Sequence, residues 1–318
     1  MQNPIRAGAR RLFKETHVSD RAPIDSLDTD GVIQQVRLQL YRDNLEGALE
    51  ILGEVYEAFP SPRYSAEAAR IRGWLQHLRT REAYVAAYEK YYRSVKSGMG
   101  LQMVDRAFRT LTGRRTRKMV ERCARNAEYR LLEREALALG ATRVLDAGCG
   151  EGRVALTLGA RHPGIRVDGV EVSATNIRIA KRLNRFPNVV FHEGLIEEAG
   201  SCCPFDTFDL VYSFGVLEHV WDVDEAVGAA LKMLRPGGRF CLVVPMLELD
   251  AAGPLPEFAP EATACHVRVF TESGLRERFG GYADFALTKL PGEWRPGQYP
   301  EAIVPIEFGS FFVAFTRP

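Results

Sequence analysis

The run Val144-Leu145-Asp146-Ala147-Gly148-Cys149-Gly150-Glu151-Gly152-Arg153 holds the residues with the clearest chemical meaning in this chain. An apolar strand breaks there into Gly-x-Gly-x-Gly and opens a helix. Glycines in such a turn allow a tight bend and leave no Cβ between backbone and ligand. The next apolar stretch, Val167-Asp168-Gly169-Val170-Glu171, ends on an acid. A carboxylate at a strand tip is suited to accept hydrogen bonds from both hydroxyls of a ribose. Bare glycine backbone beside such an acid points to a nucleoside-bearing cofactor.

Two cofactors compete for that description. The dinucleotide fingerprint is G-x-G-x-x-G with its acid about 20 residues further on. Here the third glycine, Gly152, comes one residue early, while the spacing to Glu171 fits either reading. Glu151 sits inside the glycine turn. A carboxylate there repels a diphosphate and tolerates a cationic sulfonium. The balance inclines toward S-adenosylmethionine.

The ordered series of motifs resembles the class I S-adenosylmethionine-dependent methyltransferases, near their small-molecule, ubiquinone-type branch, over residues 120–318. Besides the glycine run and Glu171 it includes Phe208-Asp209-Leu210-Val211-Tyr212-Ser213 and Val216-Leu217-Glu218-His219-Val220. It continues in Leu234-Arg235-Pro236-Gly237-Gly238 and His266-Val267-Arg268-Val269-Phe270-Thr271. The resemblance implies that Gly148, Gly150 and Gly152 pass beneath the methionine part of the cofactor and that Asp146 orders the loop. It gives Glu171 the ribose hydroxyls and Val172 the adenine. Where the family often has Gly-Asp after the third strand, this chain has Gly194-Leu195, so Leu195 and Ile196 would supply a backbone N–H and an apolar wall. Ser213 to Gly215 would face the reacting methyl group.

Methyl transfer from a sulfonium is an in-line displacement, governed by positioning and exclusion of water. A hydroxyl acceptor needs a base; an amine needs only to be neutral. The resemblance places His219 as the first candidate base and His266 as the second. Some relatives hold a divalent ion with Glu-x-x-Glu-His and a later histidine. Here Glu218, His219 and His266 match, but Gly215 replaces the first glutamate, so no metal is expected. The absence of an Asn/Asp-Pro-Pro-aromatic segment or a Pro-Cys pair after the fourth strand argues against base, glutamine or C5-cytosine methylation.

The elements that must position these residues alternate from residue 143 onward. Strands are expected at 143–147, 166–171, 189–192, 208–214, 239–245, 285–290 and 311–316, with helices at 153–161, 174–184, 223–234 and 272–279. The last two strands lack a helical connection and are expected to be antiparallel. The expected fold is α/β, a doubly wound seven-stranded Rossmann-like methyltransferase sheet with an α-helical N-terminal extension. Residues 1–30 read as a loosely ordered tail, 31–117 as a helical lid region and 118–318 as the catalytic domain. Apolar stripes such as Leu45-Leu49-Leu52-Val55-Phe59 mark helices in the extension. Residues 41–60 faintly resemble one tetratricopeptide unit, but a single unit cannot bury its own face. A long helix is expected from about 116 to 139, ended by Gly140. Tyr84, Tyr88, Tyr91 and Tyr92 form an aromatic ladder on this extension.

Composition excludes little beyond the extremes. With 42 basic and 41 acidic residues, the chain has no global field favouring nucleic acid or a membrane surface. Arg106, Arg109, Arg114, Arg115, Arg117, Lys118, Arg122 and Arg125 nevertheless gather around the linker into the catalytic domain and could hold a phosphate, a carboxylate or an RNA backbone. No signal peptide or membrane span is expected, and six scattered cysteines suggest a reducing, cytoplasmic setting. The expected activity is methyl transfer to oxygen or nitrogen of a small molecule. The alternatives are an RNA or protein methyltransferase recognising its substrate through the helical region, and a non-catalytic cofactor-binding scaffold.

Overall fold

The computed structural model describes residues 51, 85–86, 89–90, 113–220, 222–248, 270–292 and 307–318. The tail, most of the helical extension, its aromatic ladder and His266 lie outside the described residues. Two helices lead in, α1 (Arg114–Cys123) and α2 (Ala127–Ala138). They are followed by β1 (Arg143–Ala147), α3 (Arg153–Arg161), β2 (Arg166–Glu171), α4 (Ala174–Leu183) and β3 (Val189–Glu193). A 3-10 turn at Ile196–Ser201 precedes β4 (Phe208–Phe214), α5 (Val223–Met233) and β5 (Leu234–Glu248). The described chain closes with α6 (Glu272–Phe279), β6 (Ala283–Pro291) and β7 (Glu307–Thr316).

These strands form one seven-stranded sheet in the order β3-β2-β1-β4-β5-β7-β6. The first five are parallel, and β7 inserts antiparallel between β5 and β6. Alternation along each strand sends side chains to two cores. Leu145, Val211, Leu242 and Val313 pack with α5, α6 and the 3-10 turn. Val144, Leu210, Cys241 and Ala314 pack with α2, α3 and α4. Helices thus cover both faces, as near-continuous apolar parallel strands require.

Two departures from the sequence expectation have local causes. The helix expected at 116–139 is two helices, broken where Asn126 takes extended backbone angles and its N–H reaches Cys123 O at 2.9 Å. Strand β5 is longer than expected because Leu234 already pairs with Phe208, after which Pro-Gly-Gly shifts the register. Pro245 is tolerated inside β5 because pairing with β4 ends at Val243.

Helix α5 is capped at its start, where Asp222 Oδ1 accepts from Glu225 N at 2.9 Å. Asp222→Ala is expected to lower stability by about 1 kcal/mol, with the midpoint of chemical denaturation as the measurement. An unchanged midpoint would show the cap to be replaced by water at no cost.

Candidate functional site

The carboxyl ends of β1, β2 and β4 meet where the strand order reverses, with β2 on one side of β1 and β4 on the other. Open α/β sheets bind ligands in the crevice at such a switch point. The glycine loop leaves β1 there. Gly148 N and Cys149 N both donate to Val170 O, at 2.8 and 2.9 Å, fastening the loop to β2.

The three glycines share left-handed φ values of 89°, 53° and 78°, but not the same surroundings. A Cβ on Gly148 would lie 2.4 Å from Val216 Cγ2, and one on Gly152 2.5 Å from Phe191 Cζ. A Cβ on Gly150 would meet nothing within 4 Å among the described residues. Gly148 and Gly152 therefore let the loop sink against protein, while Gly150 presents bare backbone to open space.

Beside that backbone stands Glu171, only 3% exposed. Its Oε2 accepts from Gly150 N at 2.9 Å and its Oε1 from Ser173 N at 3.0 Å. Asn176 Nδ2 approaches Oε1 at 3.5 Å. Burial raises the Glu171 carboxyl above the usual range, and the Ser173, Gly150 and Asn176 donors offset part of that rise. Oε2 retains a second lone pair for a ligand hydroxyl, while on Oε1 a ligand hydroxyl would compete only with the long 3.5 Å approach of Asn176. Asp146, one residue before the end of β1, is buried, and burial pushes its carboxyl up to about 7. Its neighbour Glu171 acts in the same direction, while the Ala155 N–H opposes. The Tyr212 hydroxyl faces Asp146 without closing a hydrogen bond of ordinary geometry.

The other expected residues lie at or just beyond the carboxyl ends of β2, β3 and β4. Val172 and Leu195 are half-buried, and Ile196 is buried in the core. Gly194 N donates to Glu171 O at 3.0 Å, tying the end of β3 to the same corner. Ser213 is buried near the end of β4, and its Oγ has no hydrogen-bond partner among the described residues. His219 is buried and its N–H reaches Val216 O at 2.8 Å, which places it one turn beyond the valine that covers Gly148. Gly215 has φ +68°, where a glutamate would be strained. Among the described residues no group of three His, Cys, Asp or Glu is placed to hold a metal ion.

Sequence reasoning missed several participants. Ser173 and Asn176 are local and were findable: Ser173 follows the acid directly and its Oγ accepts from Asn176 N, an N-cap pattern. Glu151 lies 3.7 Å from Arg115 Nη2, so its charge is balanced from α1 and does not by itself decide between cofactors. A further carboxylate, Glu89, comes from outside the sheet domain and reaches Ser173 and Thr175. No local pattern signals it.

Comparison with known proteins adds to this geometry. Residues 111–290 match a family described as a methyltransferase domain. An S-adenosyl-L-methionine-dependent Diels-Alderase of Talaromyces variabilis is 32% identical over 185 residues, 54% of this chain and 62% of that protein. A ubiquinone biosynthesis O-methyltransferase of Mesorhizobium japonicum is 34% identical over 96 residues, 30% of this chain and 38% of that one. The chain thus spans less than two thirds of the length of these curated relatives. Among solved structures, the YcgJ protein of Bacillus subtilis is 22% identical with TM-score 0.47, covering 60% of this chain and 97% of that one. No described helix is long and apolar enough to cross a membrane.

Proposed function

Because the chain belongs to the class I S-adenosylmethionine-dependent methyltransferases, through a methyltransferase domain over residues 111–290, we propose that it methylates an oxygen or nitrogen of a small-molecule acceptor. The observation that carries the donor half is the Glu171 carboxylate, held 2.9 Å from the amide of the open Gly150. A ribose needs such an acceptor, and the methionine chain needs such bare backbone. The acidic character of the corner, with Glu171, Asp146 and Glu89, suits a sulfonium and opposes a diphosphate.

When bound, S-adenosylmethionine supplies an electrophilic methyl group on a sulfonium. In this reading Glu171 fixes the ribose, Gly150 runs beneath the methionine, and Val172, Leu195 and Ile196 wall the adenine. Asp146 orders the loop, and Gly148 and Gly152 seat it. Ser213 lies toward the reacting centre, where its buried hydroxyl orients an acceptor. His219 takes the proton from a hydroxyl acceptor; His266 is the second candidate.

The acceptor class rests on relatives named for ubiquinone biosynthesis O-methylation. Two observations favour other readings. Arg114, Arg117, Lys118, Arg122 and Arg125 are exposed on and just beyond α1, a face suited to an RNA backbone. The relative named a Diels-Alderase suggests cofactor binding without methyl transfer.

The test is calorimetry with S-adenosylmethionine, followed by measurement of S-adenosylhomocysteine formed with phenolic, amine and RNA acceptors. A small-molecule oxygen or nitrogen acceptor should turn over, and His219→Gln should slow hydroxyl acceptors while sparing amines. Turnover with RNA alone, or tight binding without turnover on any acceptor, would overturn the acceptor assignment.

A further inference from the structure

Glu89 belongs to a helical segment far before the sheet domain, 84 positions from the serine it touches. Its Oε2 accepts from Ser173 Oγ at 2.6 Å and its Oε1 from Thr175 Oγ1 at 2.5 Å. Thr175 N lies 3.4 Å from Oε2. One carboxylate thereby spans the first turn of α4, whose unpaired N–H groups and dipole favour negative charge. Ser173 is the junction. Its hydroxyl donates to Glu89, its N–H donates to Glu171 Oε1, and its Oγ accepts from Asn176 N at 3.2 Å.

Two carboxylates on one helix terminus repel each other, and each raises the cost of burying the other. The helix terminus accounts for one carboxylate; a second at the same place needs a further reason. A pair of acids makes sense where a cationic ligand sits close by and where one acid must be held still. Glu171 is buried, and Ser173 is the residue that both acids share.

We propose that Glu89 is a positioning residue for the cofactor, brought from the N-terminal region to fix Ser173 and, through it, the ribose-accepting carboxylate of Glu171. The inference rests on the methyl-donor reading of the site. It makes the N-terminal region part of donor binding as well as a candidate for acceptor recognition. The two hydroxyl bonds anchor the 173–175 turn to Glu89 at both ends, which holds the backbone N–H of Ser173 in place against Oε1. Without Glu89, Ser173 can turn, and Glu171 loses its fixed presentation toward a ribose.

The experiment compares S-adenosylhomocysteine with its 2′,3′-dideoxy analogue by calorimetry on the full chain. Glu89→Ala should weaken S-adenosylhomocysteine about ten-fold and leave the dideoxy analogue unchanged. Glu89→Gln, which keeps one acceptor, should fall between, and Thr175→Val gives a second variant should Glu89→Ala fold poorly. Combined with Glu171→Ala, Glu89→Ala should add no further loss, because both act on one contact. Equal losses for both ligands, or no loss, would overturn the proposal. Failure of Glu171→Ala itself to weaken binding would instead sink the ribose reading on which it rests.

Discussion

Glu171→Ala is expected to weaken S-adenosylmethionine binding about a hundred-fold while leaving the fold intact. Among the described residues, this carboxylate is the buried acceptor that touches the open Gly150 backbone, with Oε2 2.9 Å from its amide. Hydrogen bonds to a charged group contribute about 1.5–3 kcal/mol each. Loss of two such bonds to ribose, partly replaced by water, corresponds to roughly 2.7 kcal/mol, or two factors of ten in affinity. Alanine also leaves the Gly150 and Ser173 amides without their acceptor, which loosens the loop that the methionine would lie on. Glu171→Gln separates these effects, since its amide oxygen still serves one donor. Calorimetric titration of the three proteins, with circular dichroism to confirm folding, decides the matter. Equal affinities would remove Glu171 from the ribose.

The sheet was legible because its parallel strands are short, nearly continuous apolar runs, most of them closed by a turn or a helix start. Helix α6 was read to its ends because Thr271 caps it, accepting from Gly274 N, and Gly280 follows its last residue. The break between α1 and α2 was not legible. It contains no glycine or proline, and Asn126 is extended only because the chain there chooses a new helix start. The start of β5 was hidden by Pro-Gly-Gly, which reads as a turn although Leu234 before it already pairs with β4.

The same divide runs through the site. Gly150 and Glu171 were visible as types at a recognisable spacing, and the fold brings them into direct contact. The difference between Gly150, which faces open space, and Gly148 and Gly152, which are pressed by Val216 and Phe191, is a matter of tertiary packing. The balance of Glu151 by Arg115 has the same origin. So does the reach of Glu89 to Ser173 and Thr175. Periodicity reports which face of an element is apolar; it carries no information about which distant carboxylate will meet a given helix terminus.

Asp146 leads to the largest expected effect on stability. Its carboxyl is buried and pushed up to about 7, against roughly 3.9 in an unfolded chain. Between those values the folded protein holds a proton that the unfolded chain has released. Stability therefore falls as pH rises from about 4 through 7, and the deficit is complete above 7. Three units correspond to an upper figure on the order of 4 kcal/mol. Glu171, also raised, acts with the same sign. Asp146→Asn removes the titration, so urea denaturation at pH 5 and pH 8 should show wild type losing several kcal/mol relative to the variant, on the same order of magnitude. A constant difference across that range would mean that Asp146 is ionised throughout. The cofactor should show the opposite trend. A sulfonium near ionised Asp146 and Glu171 favours their charged forms, so S-adenosylmethionine binding releases protons and tightens as pH rises through 7. Calorimetry in buffers of differing ionisation enthalpy measures that release directly. If affinity instead fell alongside stability, the acidic corner would not be the seat of the sulfonium.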